Sequence, residues 1–384
     1  MSRLHSWTGV LSGACVALCS TGALAQNSVT LYGSIDNGLN YTTNQGGKSA
    51  LQALSSVKWG SRLGFTGSED LGGGWAAIFR LENGFNAFQG VAGQGGLLFG
   101  RQAYVGLSGP AGTLTLGRQY DSIATYVGAL ASSDAWAGYP GAHPGDYDNV
   151  NDAFRENNAI RYAAPKWNGL EISGLYAPGG VPGSLGRNRI YSIGAGYSRE
   201  TVTLGLAYLH VDDPATSAYG ASSSPVSGGT FTNPVTSPVF SGYASARSLS
   251  VFGAAAQYAF GASTVAGVYT YTRFAGIVPT STTPHAGSAI FGNAELSYRY
   301  LFTPSILGAL SYDFTNAPTA RYHQVNMLLD YFLSKRTDVY LLMVAQKASG
   351  IDSTGKAAVA AINGVSASST DRQLLVRVGI NQKF

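Results

Sequence analysis

The stretch Ile290–Leu301, IFGNAELSYRYL, alternates between two kinds of side chain. One parity is apolar and ends in two tyrosines, whereas the other is mostly polar and charged. A repeat of two residues is the pattern of a β-strand with two different faces. The same alternation recurs at 202–208, 306–314, 325–331 and 374–384. The pattern predicts a chain built from strands with one apolar and one polar face.

Followed along the whole chain, the alternation predicts sixteen strands, each close to the ~9 to 11 residues that a tilted strand needs to cross a membrane. They lie near 28–40, 57–69, 74–86, 97–108, 112–120, 157–164, 169–177, 189–198, 201–210, 248–260, 264–274, 289–301, 305–315, 321–333, 337–347 and 371–384. The connections after even strands are tight turns. Those after odd strands are mostly long, as at 41–56, 121–156 and 211–247. Short turns at one end and long loops at the other are typical of outer-membrane barrels.

The first residues are typical of a secretory signal peptide. Arg3 is followed by an apolar, small-residue stretch that ends in the A-x-A cleavage pattern Ala23-Leu24-Ala25. We therefore expect residues 1–25 to be removed and residues 26–384 to form a single domain. Cys15 and Cys19 leave with the signal, so no disulfide or cysteine metal site is expected in the mature chain.

The composition is unusual for a water-soluble protein. Charged residues make up 11% of the chain, where about 25% is ordinary. The 23 tyrosines, 16 phenylalanines and 51 glycines are plentiful, yet no mature segment approaches the ~20 apolar residues of a membrane-spanning helix. Lipid accepts only helices and closed barrels, because it offers the backbone no hydrogen-bond partners. The sequence therefore predicts an all-β, antiparallel transmembrane barrel. The small positive net charge, +4 before cleavage, argues against a nucleic-acid partner.

Several motifs resemble those of the Gram-negative general porins, over essentially the whole mature chain. They are Val29-Thr-Leu-Tyr-Gly33, Ser61-Arg-Leu-Gly-Phe-Thr-Gly67, Gly100-Arg-Gln-Ala-Tyr-Val-Gly-Leu107, Leu116-Gly-Arg-Gln-Tyr-Asp121 and the terminal Phe384. The resemblance implies a trimer of 16-stranded barrels in the outer membrane. It also implies that the third long loop, about 121–156, folds into the lumen, and that Phe384 belongs to the signal read by the barrel-assembly machinery.

The resemblance further implies wall arginines at Arg62, Arg101 and Arg155. Alternation agrees for Arg62, and it adds Arg80 and Glu82, which oppose the apolar parity of their strand. We therefore predict that these five residues line the pore. Arg118 shares the parity of two leucines and is left out of the lumen.

The third loop lacks the Pro-Glu-Phe-Gly motif of many relatives, so the carboxylates that face the arginines stay open. The candidate acids of this loop are Asp121, Asp134, Asp146 and Asp148, with Asp152 and Glu156 nearby.

The predicted function is passive diffusion of ions and small hydrophilic solutes. The excess of wall arginines over carboxylates suggests a weak preference for anions, because charged side chains that line a pore set its ion selectivity. A substrate-specific channel of the same architecture stays an alternative. A barrel enzyme and a surface adhesin are less favoured. Outer-membrane lipid and lipopolysaccharide are the expected surroundings.

No catalytic, cofactor or metal motif stands out. The mature histidines His143, His210, His285 and His323 lack ligand spacing. The run 146–152 is rich in Asp and Asn, but it lacks the Gly and the distal Glu of an EF-hand calcium loop. No nucleophile elbow or phosphate-binding loop occurs. We therefore expect neither enzymatic activity nor a cofactor.

Overall fold

The computed structural model describes residues 28–384, and the predicted signal peptide, residues 1–25, lies outside the described residues. Strands β1 to β18 are Ser28–Gln45, Lys48–Ser55, Arg62–Gly72, Trp75–Asn86, Val91–Ala92, Gln102–Gly109, Gly112–Gln119, Glu156–Ala163, Leu170–Ala177, Ile190–Arg199, Val202–Asp212, Ser248–Phe260, Ser263–Ile277, Gly287–Thr303, Ile306–Asn316, Ala320–Phe332, Thr337–Gly350 and Arg372–Lys383.

Helical turns occur only in the connections of the described chain. They are one α-helical turn, α1, at Pro214–Ser217, two π turns at Ile123–Val127 and Ser133–Ala137, and four 3-10 turns at Gln94–Gly96, Gly128–Leu130, Tyr139–Gly141 and Ser241–Tyr243. Across residues 28–384, none of these helices has the length and apolar character needed to span a membrane.

The sheet closes on itself through its first and last strands. The strands pair antiparallel in chain order, and β18 then pairs with β1 from Ser34↔Lys383 to Thr42↔Leu375. Closure leaves no strand edge with unpaired backbone groups, which is the condition for a sheet in lipid.

Eighteen strands form sixteen staves of the barrel, where a stave is one strand position around the barrel wall. The upper half of β1 pairs with β2, whereas its lower half pairs with β3. These two strands are therefore halves of one interrupted stave. The two-residue β5 only adds a short pairing to β4. The predicted antiparallel barrel of sixteen strands is confirmed.

The second stave differs from the sequence prediction. Residues 41–56, predicted to be a loop, form a hairpin that turns at Gly46 and Gly47, both of which have positive φ. Residues 57–61, predicted to be strand, instead leave the sheet. The carboxylate of Asp36 accepts hydrogen bonds from the backbone N–H of residues 57 to 59 at 2.7, 2.9 and 3.3 Å. A side chain thus replaces the neighbouring strand as the hydrogen-bond partner of this segment.

The connections alternate in length, as the sequence predicts. At one end the turns are short, between residues 72–75, 109–112, 163–170, 199–202, 260–263, 303–306 and 332–337. The long connections, including 120–155, 213–247 and 351–371, lie at the opposite end. Both ends of the described chain lie with the short turns, where the backbone N and O of Phe384 bond to the O and N of Gly33 at 3.1 and 3.0 Å. The Phe384 ring covers Gly33 so closely that a Cβ there would lie 2.2 Å from the ring.

Strand parity separates an apolar outer face from a polar inner face. In β14, Leu296 and Tyr298 are 62% and 41% exposed, whereas Asn293 and Glu295 are buried. Exposed aromatic side chains gather within a few residues of the short turns: Trp75, Tyr162, Trp167, Tyr258, Phe260, Tyr298, Tyr300, Phe302 and Tyr331. An apolar band edged by aromatic residues is the lipid-facing surface of a transmembrane barrel.

The inner wall near the closing strands holds two buried ion-pair groups. Arg377 lies 3.3 Å from both carboxylate oxygens of Asp36 and donates to the Tyr340 hydroxyl at 2.7 Å. The Lys58 ammonium contacts the carboxylates of Asp330 and Asp338. These groups join the interrupted second stave to β16, β17 and β18 across the seam of the barrel.

Replacing Arg377 with Met should destabilise the barrel. Both Arg377 and Asp36 are fully buried, and removing one partner of a buried pair leaves an uncompensated charge that costs about 3–5 kcal/mol. Urea unfolding of the refolded protein, followed by tryptophan fluorescence, measures this change. Arg372→Met is the control, because Arg372 has a 76% exposed side chain and should shift the free energy of unfolding by less than about 1 kcal/mol. Equal shifts in the two variants would contradict a structural role for the Asp36–Arg377 pair.

Candidate functional site

A group of arginines lies on the inner face of the barrel wall around one carboxylate. Glu82 on β4 accepts a hydrogen bond from Arg101 Nε at 2.6 Å and another from the Tyr32 hydroxyl at 2.7 Å. Arg62 on β3 lies 3.9 Å from the same carboxylate. Glu82 is buried, whereas Arg62 keeps 31% of its side chain exposed. The carboxylate therefore holds both guanidinium groups in place without covering them.

The other two predicted arginines flank this group. The Arg80 guanidinium lies over the Tyr32 ring at 5.9 Å. Arg155, which directly precedes β8, stacks on Tyr120 at 5.3 Å and lies 4.0 Å from the Asp152 carboxylate. Arg118, excluded from the lumen by its parity, hydrogen-bonds to the Gly100 carbonyl and the Asn157 side chain and lines neither of the cavities described below.

The connection 121–155, which we call the third loop, contacts the opposite wall. Its first helical turn packs on β10, β11 and β12, where glycines allow a close approach. A Cβ at Gly205 would lie 2.0 Å from the Tyr126 carbonyl oxygen, and one at Gly194 would lie 2.6 Å from the Tyr126 ring. The Tyr126 hydroxyl donates to Ser173 on β9 at 2.9 Å. Small residues on three strands thus form the surface, or seat, on which this loop packs.

Aromatic packing continues from this seat toward the long-loop end. Tyr147 of the third loop lies 4.4 Å from Phe291 and 5.6 Å from Phe240, measured between ring centroids. Phe240 belongs to the connection 213–247, which therefore covers the third loop from the long-loop side. The buried apolar side chains inside the barrel lie mainly in this cluster.

The four predicted loop acids take different positions. Asp134 lies deep in the lumen, where its side chain stays accessible to the cavity and faces the arginine wall. Asp121 is fully buried and accepts from the backbone N–H of Ala124 at 3.2 Å and from the Asn149 side chain at 2.6 Å, which fixes the start of the loop. Asp146 accepts from the backbone N–H of Asn151 at 3.0 Å.

Asp148 connects the loop to the barrel wall. Its carboxylate accepts from Thr270 and Asn293 at 2.6 and 2.9 Å and contacts His143 at 2.7 Å. Of the four predicted acids, the structure therefore brings Asp134 alone to the arginines. Asp121, Asp146 and Asp148 are buried groups that position the loop.

Two cavities lie between the arginine wall and the third loop. The one toward the short turns has a volume of about 540 Å³ and includes Tyr32, Arg80, Glu82 and Arg161 in its lining. The one toward the long loops has a volume of about 550 Å³ and includes Lys58 and Arg155. Four residues line both cavities: Arg62, Arg101, Asp134 and Asp152. The cavities therefore meet between two arginines of the wall and two aspartates of the loop.

The two aspartates at this junction influence each other. Desolvation within the lumen and the neighbouring Asp152 carboxylate raise the pKa of Asp134 to about 6, against the opposing effect of Arg101 and Arg62. Burial also raises the pKa of Asp152, against the opposing effect of Arg155 and Arg101. The guanidinium groups across the cavity thus favour the charged form of both carboxylates.

Three charged lining residues were missed by the sequence reasoning. Asp152 was considered with the loop acids but was not chosen, because nothing in the sequence ranks one loop acid above another. Arg161 on β8 has the parity of a lumen residue and could have been found by alternation. Lys58 lies in the segment predicted as strand, and its inward position depends on the long-range contact with Asp36.

Comparisons with known proteins agree with this geometry. The model of the Gram-negative porin family matches residues 12–349. Outer membrane porin protein 32 of Delftia acidovorans is 27% identical over 391 residues, which cover 96% of this chain and 97% of that protein. An outer membrane porin protein of Bordetella pertussis is 34% identical over 178 residues, 42% of this chain, and the match spans about half, 46%, of that relative.

Among solved structures, the anion-selective porin from Comamonas acidovorans superposes with a TM-score of 0.72 at 22% identity, covering 94% of this chain and 100% of that one. The two chains therefore share the barrel fold over almost their whole length. The family model matches most of the sequence, and the fold agrees with it. The chain is therefore a multi-pass protein of the Gram-negative outer membrane and belongs to the Gram-negative porin family.

Proposed function

We propose that this chain is a passive diffusion channel for ions and small hydrophilic solutes, with a preference for anions, and that its narrowest point lies between Arg62, Arg101, Asp134 and Asp152. The observation that carries the proposal is that these four side chains line both cavities. A solute that passes from one cavity to the other must pass between them. The same cavities support pore-lining roles for Arg80, Glu82 and Arg155.

The third loop is the element that narrows the lumen in this proposal. Its first turn contacts three strands of the far wall, and the backbone N–H of Tyr139 donates to the carbonyl of Val57 at 3.0 Å. The loop therefore contacts the barrel both at the far wall and at the segment that interrupts the second stave. Between them it leaves open the side lined by the arginines.

The charges around the two cavities favour anions. Five arginines line them: Arg62, Arg80, Arg101, Arg155 and Arg161. Three carboxylates oppose these arginines, those of Glu82, Asp134 and Asp152, and Lys58 is neutralised by its two aspartate partners. Arginine keeps its charge at every biological pH. The anion-selective porin from Comamonas acidovorans shares the fold, which supports the same preference here.

We propose no enzymatic activity, since the residues that line the two cavities include neither histidine nor cysteine. For the assembly we propose a homotrimer, a state also named for a solved structure of similar fold, OmpT of Vibrio cholerae. Lipopolysaccharide at the outer surface and the barrel-assembly machinery, reading Phe384, complete the proposed partners. The exposed ring of Phe384 at the closing seam supports the latter.

Neutralising a wall arginine should weaken the anion preference. A unit charge about 7 Å from a permeating ion in water changes the ion's free energy by roughly 0.6 kcal/mol. Removing the charge disfavours an anion and favours a cation by this amount each, so the ratio of anion to cation permeability should fall on the order of sevenfold in Arg62→Gln or Arg101→Gln. The reversal potential of refolded protein in a planar bilayer under a KCl gradient measures this ratio.

Arg118→Gln is the matched control, because it removes the same charge from a residue that lines neither cavity. Its reversal potential should equal that of the unmodified protein. Similar shifts in all three variants would show that the arginine wall does not set selectivity. Folded, heat-modifiable protein that forms no channels would refute the diffusion channel itself.

The anion preference should also rise as the pH falls from about 7.5 to about 5. The pKa of Asp134 is raised to about 6, so its carboxylate is charged above this pH and neutral below it. Protonation removes a negative charge from the junction and leaves the arginines unchanged. In Asp134→Asn the step near pH 6 should shrink to the part contributed by Asp152, as followed by reversal potentials across this pH range. A step of unchanged size in Asp134→Asn would place its origin elsewhere.

A further inference from the structure

Two carboxylates face each other on the inner wall, away from the arginines. Glu295 on β14 and Asp313 on β15 are direct partners in the antiparallel register, and both are almost completely buried. Like charges directly opposite each other destabilise a sheet, and a buried carboxylate needs a compensating partner. Within residues 28–384, no lysine or arginine forms an ion pair with either one.

His143 of the third loop lies over this pair. Its Nε2 is 3.6 Å from a carboxylate oxygen of Glu295, longer than a hydrogen bond. One ligand atom from each of His143, Glu295 and Asp313 lies within 4.8 Å of the other two. An imidazole nitrogen and two carboxylate oxygens thus converge on one point between the loop and the wall.

The opposite edge of the imidazole is fixed by Asp148, whose carboxylate lies 2.7 Å from His143 Nδ1. Thr270 and Asn293 hold this carboxylate by donating to it at 2.6 and 2.9 Å. A proton on Nδ1 directs the lone pair of Nε2 toward Glu295 and Asp313. A carboxylate that orients the far nitrogen of a histidine is the usual support of a metal-binding histidine.

The atoms that face this point have no other partner. Among the described residues, none forms a hydrogen bond to His143 Nε2 or to Asp313 Oδ1, although both side chains are almost completely buried. The remaining carboxylate oxygens are occupied: Glu295 Oε1 accepts from the backbone N–H of Ser132 at 2.6 Å, and Asp313 Oδ2 accepts from Asn326 at 2.8 Å. A nitrogen lone pair and two carboxylates repel each other unless a positive charge lies between them.

We propose that His143, Glu295 and Asp313 bind a divalent transition-metal ion of the zinc type. One imidazole nitrogen and two carboxylate oxygens, with a water molecule in the fourth position, match the ligands and coordination number that zinc accepts. Calcium and magnesium favour six or more oxygen ligands and suit this group less well. Zinc–ligand distances are about 2.0–2.2 Å, so the three side chains draw together when the metal binds.

The bound ion would fasten the third loop to β14 and β15. The site lies outside both arginine-lined cavities, and none of its three ligands lines them. The metal would therefore act on the position of the loop rather than on a permeating ion. The proposal does not depend on the direction of ion selectivity.

Metal titration of the tag-free, refolded mature protein tests the site. After treatment with a chelator, isothermal titration with ZnCl₂ should show one equivalent bound per chain. CoCl₂ should give visible d–d absorption bands typical of a bound low-coordinate ion. In His143→Gln and Asp313→Asn the zinc affinity should fall at least tenfold. In Asp148→Asn it should fall about 10- to 100-fold, because the histidine loses its orienting partner.

His323→Gln is the matched control, because His323 is exposed and hydrogen-bonds to Tyr312 at 2.6 Å, away from the cluster. It should bind zinc as the unmodified protein does. Heat-modifiable migration on a gel checks that each variant is folded, and Glu295→Gln replaces Asp313→Asn if the latter fails to fold. Zinc affinity that is the same with and without His143, or cobalt without d–d bands, would overturn the proposal and leave protons as the charges that neutralise this cluster.

Discussion

The structure depends on one constraint, that every backbone N–H and C=O within lipid must find a partner in the protein. The pairing of β18 with β1 meets this constraint by removing the last free edge of the sheet. Closure has a second effect, because it turns the two parities of each strand into an outside and an inside. Once Leu296 faces lipid, its neighbour Glu295 must face the lumen. Every second residue of each strand therefore faces the lumen and determines its chemistry.

The inside of this barrel is not filled evenly. The glycines of β10 to β12 allow the third loop to lie against one wall, and the apolar cluster around Tyr147 and Phe240 covers it. The two arginine-lined cavities therefore lie along the other wall, where the arginines lie on β3, on β4 and next to β6. In the proposed channel, an off-centre passage would bring permeating solutes close to these side chains. The small residues of one wall thus determine how strongly the charges of the other wall act.

The features of the fold that depend on local sequence patterns were predicted correctly. Alternation and turn residues were enough for the antiparallel barrel, its sixteen staves and the unequal connections. Alternation also chose Arg62, Arg80 and Glu82, whose positions follow from strand parity. The misread part is residues 41–61, because Asp36 draws the backbone of residues 57 to 59 out of the sheet. No local pattern shows such a contact between distant residues.

The same limit applies to the third loop. Its acids look alike in the sequence, and their positions depend on contacts with strands far along the chain, such as that of Asp148 with Thr270 and Asn293. The cluster of His143, Glu295 and Asp313 is hidden for the same reason, because His143 precedes the other two by more than a hundred residues and meets them only when the loop packs on the wall. Residues that need partners from three elements cannot be paired by spacing alone.

The junction of the two cavities has one side on the barrel wall, which is rigid, and the other on the third loop, whose position can change. Arg62 and Arg101 lie on or directly beside paired strands and are held by Glu82, which is itself fixed by a hydrogen bond from the Tyr32 hydroxyl. Asp134 and Asp152 belong to a loop whose position is set by uncharged contacts and by buried aspartates. A guanidinium wall that faces carboxylates across water creates a field perpendicular to the path of the solute, and lumen charges are weakly screened at such short distances. A small displacement of the loop would change the gap and the field together, since both are set by the same two aspartates. In the proposed channel, selectivity therefore depends on the packing behind the loop as much as on the arginines in front of it.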